Sequence, residues 1–170
     1  VEAKFKGVPF NGNLSYPIAY TTTNQDVEHG FNLIGNPYPS NLNIESLYDA
    51  NSSIIEPNFY FWDNRGNTLY VQHGSNYSGD NFAKYNAASG TGVGTGQAAV
   101  GATDQTRIPN QYVKVGTAFM VRALPTANGQ SIQFSNDYRT NVNSGPGFFG
   151  KINDLNEETN TTKDRYWLSF

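Results

Sequence analysis

Few side chains in this sequence are of a kind that performs reactions. Cysteine is absent, which removes disulfides, thiolate metal sites and cysteine nucleophiles together. His29 and His73 are the two histidines, and any Ser-His-Asp relay or imidazole metal site would have to recruit one of them. Each stands beside a turn and outside any H-x-x-x-H or H-x-E pattern, so both read as exposed loop residues. Glu45/Asp49 and Glu56/Asp63 are acid pairs of the type a glycosidase uses, one carboxyl as proton donor and the other as base or nucleophile. Sequence alone does not bring either pair together, and paired surface acids are common. The run GTGVGTG (residues 90–96) has the glycine density of a phosphate cradle, but such a cradle needs a strand before it and a helix after it. Neither flank fits, and no Lys-Ser/Thr follows. The chain is expected not to be an enzyme.

Two binding chemistries remain. In NFYFWD (residues 58–63) the alternation of a strand puts Phe59 and Phe61 on one side and Tyr60 and Trp62 on the other. With the phenylalanines in the core, Tyr60, Trp62 and Tyr70 make the opposite face, and Asn58, Arg65 and Gln72 stand at its edge. Aromatic rings stack on the apolar faces of sugars while amides and guanidinium groups take the hydroxyls. These six residues are therefore the expected glycan face; the alternative is that loops or a neighbouring domain cover it. The second chemistry is calcium, which takes about six to eight oxygen ligands, often from turns. Asp63, Asn64 and Asn67, and further on Asp80 and Asn81, are oxygen-rich turns. Neither matches the D-x-[DN]-x-[DN]-G loop, and β-turns select Asn and Asp in any case. Asp63, Asn67 and Asp80 stand as the calcium candidates, and no other cofactor is expected.

The elements that must position these residues are strands. The chain of 170 residues carries 17 glycines, 8 prolines and 22 asparagines, so turn formers are frequent, while aromatics at 14% supply apolar area for a core. Roughly eight segments alternate or run apolar between turn signals: residues 1–6, 14–22, 31–34, 58–62, 68–72, 112–124, 131–136 and 165–170. Residues 58–62 and 68–72 flank the turn DNRGN and are expected to pair as a hairpin. Leu14, Tyr16, Ile18 and Tyr20 share one face at period two. One short helix is expected, capped by Ser40 or Asn43 and running to Tyr48 with Ile44 and Leu47 inward. The run AASGTGVGTGQAAVG (87–101) reads as a flexible loop, and residues 151–163, polar and acidic, as a mobile one. The fold class expected is all-β: a single antiparallel β-sandwich domain over 1–170, jelly-roll-like, with at most one short helix. Strand parity assigns Phe31, Leu33, Phe59, Phe61, Phe119, Val121, Ile132, Phe134 and Trp167 to its core.

Charge limits the partners. The net charge is −3, and Lys and Arg are scattered singly. No basic stripe exists to neutralise phosphates, so neither nucleic acid nor an anionic membrane surface is an expected partner. No apolar stretch approaches the roughly 18 residues of a membrane span, and Val1 does not open a signal peptide. The chain is expected to be a piece of a larger protein.

The most unusual stretch is GFNLIGNPYPS (30–40). Gly35 is free to take positive φ, Asn36 suits a turn, and Pro37 and Pro39 fix φ and withdraw two amide donors. The chain must leave the sheet here in one direction, with Tyr38 held as a wedge, which reads as a structural corner.

In order along the chain stand GFNLIGNPYPS (30–40), FYFWD (59–63), FAKYN (82–86), KVGTAFMVRA (114–123), IQFSNDYR (132–139), GFF (147–149) and RYWLSF (165–170). This set resembles a β-sandwich region common in large surface and secreted proteins of gliding and related Gram-negative bacteria. There it commonly precedes a C-terminal sorting domain read by the type IX secretion system. The family pattern, roughly G-W-N-L-V-G-N-P-Y-P-S through G-Q-G-F-F-V to F-T-N-x-M-R, covers nearly the whole chain; Phe31 replaces its usual Trp, and Thr117-Ala118 its usual Gly-Phe or Gln-Gly. The resemblance implies an exported protein, extracellular or on the outer cell surface, with neighbouring domains of the same polypeptide as partners. It implies no chemistry. The expected function is that of a non-catalytic structural or adhesive module; the alternative is a carbohydrate-binding module that targets a neighbouring domain to extracellular polysaccharide.

Overall fold

The computed structural model describes residues 7–21, 29–63, 82–95 and 108–142. Within them the chain is all-β and sandwich-like: ten strands in three antiparallel sheets and one short α-helix. The strands are β1 (Leu14–Pro17), β2 (Phe31–Gly35), β3 (Asn41–Asn43), β4 (Ile55–Trp62), β5 (Phe82–Asn86), β6 (Thr91–Val93), β7 (Tyr112–Val113), β8 (Ala118–Ala123), β9 (Ser131–Phe134) and β10 (Arg139–Thr140). The helix α1 spans Ile44–Asn51. The largest sheet has five strands in the order β2-β8-β4-β5-β6; β1 pairs β9, and β3 lies between β10 and β7.

Period-two alternation explains the main sheet. Phe59 and Phe61 of β4, Phe119 and Val121 of β8, Ala83 and Tyr85 of β5, and Ile34 of β2 all point to one side and are buried. They join one core with Ile132 and Phe134 of β9 and with Leu42, Ile44 and Leu47 of the β3–α1 segment. The ring of Phe119 lies 5.5 Å from Phe59 and 6.3 Å from Phe61, near the preferred range for aromatic pairs. Pro57 interrupts β4. It has no N–H to give the ladder, and the β4–β8 register shifts between Ile55 and Phe59.

The helix forms where expected. Asn43 caps it, its side chain accepting from the amides of Glu45 at 3.0 Å and Ser46 at 3.4 Å. Ile44 and Leu47, three apart, turn the same face inward. At its C-terminal end buried Asn51 pins α1 to β9: its amide donates to the carbonyls of Leu47 (2.8 Å) and Gln133 (3.0 Å) and accepts from the Gln133 amide (2.8 Å).

Several expectations are corrected. Phe31 and Leu33 are not core: they are 37% and 63% exposed, while Ile34 is 1% exposed. The parity of β2 is inverted because Asn32, the polar residue of the inner row, is used as a clamp. Its side chain accepts from the Ala19 amide and donates to the carbonyls of Ala19 and Gly30, tying the segment after β1 to β2. Tyr16 shares the face of Leu14, the two standing opposite buried Ile132 and Phe134, but it keeps 36% of its surface exposed, its hydroxyl donating to the Leu33 carbonyl at 3.3 Å. The single strand expected over 112–124 is two, β7 and β8, because Gly116 turns the chain with φ 71°. Part of the glycine-rich run is a strand, β6, which closes a hairpin with β5. The left-handed glycine of the GNPYPS stretch is Gly30 (φ 85°) and not Gly35. Finally, β4 is paired on both edges, by β5 and by β8. Residues 1–6, 68–72, 151–163 and 165–170, with Trp167, lie outside the described residues.

Candidate functional site

The GNPYPS stretch builds a corner from residues far apart in sequence. Asn36 accepts from the Tyr38 amide at 3.0 Å and donates to the Ser40 carbonyl at 2.8 Å, an Asx turn that closes the loop on itself. Tyr38 is buried between Phe10 and Phe134, at 5.9 and 6.4 Å, and its hydroxyl donates to the Gly12 carbonyl at 2.9 Å. The Arg139 guanidinium lies 5.5 Å above that ring and donates to Ser40 Oγ and Asn11 Oδ1, both at 2.9 Å. Burial raises the phenol pKa of Tyr38, against the pull of Arg139. Two of the sequence motifs, GFNLIGNPYPS and IQFSNDYR, thus meet here against residues 10–12, and their polar atoms are engaged with one another. This is architecture.

Glu45 and Glu56 are engaged in the same way. Glu45 Oε1 accepts from the Tyr85 hydroxyl at 2.5 Å, and burial first, then this bond, push the Tyr85 pKa well above its ordinary value. Glu56 faces Arg122 at 3.7 Å. Asp63 is buried just beyond the other end of β4, so Glu56 and Asp63 are separated by roughly 20 Å of strand, far more than the ~5–9.5 Å between glycosidase carboxyls. His29 is half-buried and packs 5.8 Å from Tyr20; His73 lies outside the described residues. Among the described residues no three of His, Asp and Glu gather to hold a metal. Of the calcium candidates only Asp63 is described; Asn64, Asn67, Asp80 and Asn81 are not.

The outer face of the five-stranded sheet differs. Pairing registers set Leu33, Met120, Tyr60, Lys84 and Val93 in one row across all five strands. Trp62 pairs Phe82 in the next row and Phe31 pairs Arg122 on the other side. Four spacings of about 4.8 Å make the face roughly 19 Å wide. Phe31 meets Tyr60 edge-on at 5.4 Å, and Trp62 meets Phe82 edge-on at 5.0 Å. Two cations lie on rings: Lys84 Nζ is 5.6 Å from the Tyr60 centroid and the Arg122 guanidinium 5.7 Å from that of Phe31. Arg122 is also held from below, its Nε donating to the His29 carbonyl at 3.0 Å. Trp62 keeps 39% of its surface exposed, like Phe31, and Leu33 more. This is a flat apolar surface rather than a cleft; a cavity beside Phe61 and Tyr112 measures about 10 Å³, room for one water.

Of the expected glycan residues, Tyr60 and Trp62 stand on this face as parity required. Asn58 is on the same strand, but its side-chain Oδ1 accepts from the Asn86 side-chain amide at 3.1 Å. Tyr70, Arg65 and Gln72 lie outside the described residues. The face also contains Phe31, Leu33, Phe82, Lys84, Met120 and Arg122, none of which was expected there. For the last four the signal was present: the alternation that buries Ala83, Tyr85, Phe119 and Val121 turns their neighbours outward.

Among the described residues no helix is long and apolar enough to cross a membrane. Neither a curated protein nor a solved structure matches the chain. A family model does match, over residues 1–170, and the chain belongs to that family, a domain of unknown function (DUF8693).

Proposed function

We propose that the chain is a non-catalytic β-sandwich module of an exported bacterial protein, adhesive in role, which stacks polysaccharide on the outer face of its five-stranded sheet. The observation that carries this reading is the exposed row of rings and apolar side chains around Tyr60 and Trp62, while Glu45, Tyr85, Ser40 and Arg139, among the described residues, are engaged with one another. Export to the outer surface of a Gram-negative cell rests on the ordered motifs that resemble type IX secretion cargo. Each stacked ring contributes about 1 kcal/mol, so two or three rings alone give an affinity of roughly millimolar or weaker. Adhesion would then depend on several copies acting together on a large surface protein. The test is a glycan array followed by affinity gels on the 170-residue chain, with and without calcium, beside Trp62→Ala. Binding that disappears in the variant, with an unchanged circular dichroism spectrum, is the expected result. If Trp62→Ala unfolds the domain, or no glycan binds, the face has no such role.

A second reading keeps the module structural, its face covered by a neighbouring domain. Exposed Leu33 and Val93, aliphatic residues that a sugar does not need, favour it. A stable complex with an adjoining domain of the parent protein, disrupted by Leu33→Asp, is what that reading expects.

A further inference from the structure

We infer that the glycan this face selects is acidic, a polysaccharide containing uronic acid, and that Lys84 is the residue reading its carboxylate. The inference rests on the glycan reading above and adds the chemical class of the ligand. Although the chain carries a net charge of −3, the aromatic face is locally positive among the described residues, with Lys84 and Arg122 against Glu56. Lys84 and Arg122 both stand on rings of that face, and the acid Glu56 is already paired with Arg122. Among the described residues no carboxylate pairs with Lys84, whose side chain is exposed.

The position of Lys84 matters as much as its charge. Trp62 pairs Phe82 and Tyr60 pairs Lys84 on the same two strands, so Lys84 is the diagonal neighbour of Trp62. Such neighbours sit about 7–8 Å apart, within reach of a long side chain. A pyranose lying flat on the Trp62 ring projects its equatorial C5 substituent sideways, in the plane of the sugar. In a uronic acid that substituent is a carboxylate, and a flexible ammonium beside the platform can meet it while the sugar stays stacked. A single ammonium suits a single charge per sugar. The guanidinium fork that would suit sulfate better is held by the His29 carbonyl and Glu56.

The experiment is affinity electrophoresis of the 170-residue chain in gels containing polygalacturonate, the same polymer fully methyl-esterified, a neutral glucan, or dextran sulfate. Esterification removes the charge and keeps the ring. The wild-type chain should bind polygalacturonate about fivefold more tightly than the ester, the scale of one exposed charge contact. Lys84→Gln should bind the two polymers alike, and Trp62→Ala should bind neither. Equal binding of both polymers by the wild type overturns the inference and leaves the glycan face standing. Tighter binding of dextran sulfate than of polygalacturonate overturns the choice of carboxylate. Retardation by none of the four polymers overturns the inference and the glycan reading together.

Discussion

Replacing Asn51 by Asp changes one nitrogen to oxygen at the junction of α1 and β9, and the structure says what that costs. The Asn51 amide nitrogen donates to two carbonyls, Leu47 at 2.8 Å and Gln133 at 3.0 Å, in a buried site. An ionised Asp can still accept from the Gln133 amide, but its second oxygen then faces two carbonyl oxygens. Two bonds of about 1 kcal/mol each are lost, and a buried charge without a cation adds more, so the deficit at pH 7 should be about 3–5 kcal/mol. At about 2–4 °C per kcal/mol for a chain of this size, the melting temperature should fall on the order of 10 °C. The sign with pH follows from the same geometry. Burial and the two carbonyls raise the folded-state pKa of the new carboxyl above its unfolded value. Its protonated form is therefore favoured in the folded state, and the deficit shrinks as pH falls through that raised pKa. Urea unfolding of both chains at pH 7 and at pH 4 reads this directly. A deficit below 1 kcal/mol at pH 7, or one that does not narrow at pH 4, would refute the claim that this side chain pins helix to sheet.

Three further substitutions examine the packing. Ile34→Ala should cost about 2–5 kcal/mol and Leu33→Ala no more than about 0.5 kcal/mol, because the first is core and the second is on the open face; urea midpoints in the reverse order would show that β2 is turned over. Gly92→Ala should lower the melting temperature, since a Cβ there would overlap the Pro109 carbonyl oxygen and press on Ile108; an unchanged melting curve would mean that residues 108–110 do not lie against β6.

The fold class, the capped helix and most of the core were legible because each rests on a local rule. Alternation in FYFW and AFMV buries Phe59, Phe61, Phe119 and Val121, and Asn43 followed by Ile44 and Leu47 is a local helix signal. What was not legible depends on the partner. Phe31 and Leu33 outnumber Ile34, so parity alone sends the wrong pair inside; only the clamp between Asn32 and the Ala19 backbone, across a turn, reverses it. The glycine-rich stretch fails as an isolated strand, yet β6 forms because β5 offers it a ladder edge and Gly92 admits the Pro109 segment. The candidate face follows the same pattern. Tyr60 and Trp62 could be read from one strand, but their companions come from β2, β5 and β8, whose order in the sheet is not written in any one of them.

The closing of the corner and of the β1–β9 pair bears on how this chain reaches its native state. Arg139 meets Asn11 across 128 residues of sequence, and β1, near the N-terminal end, has β9 as its partner. A chain emerging from the ribosome cannot complete the β1–β9 pair until residue 134 is available, nor the Arg139 contact until residue 139 is. Strand β1 therefore waits while the main sheet is made, and its loop-closure entropy is met late. Topologies dominated by such distant pairings fold on the millisecond-to-second scale rather than in microseconds.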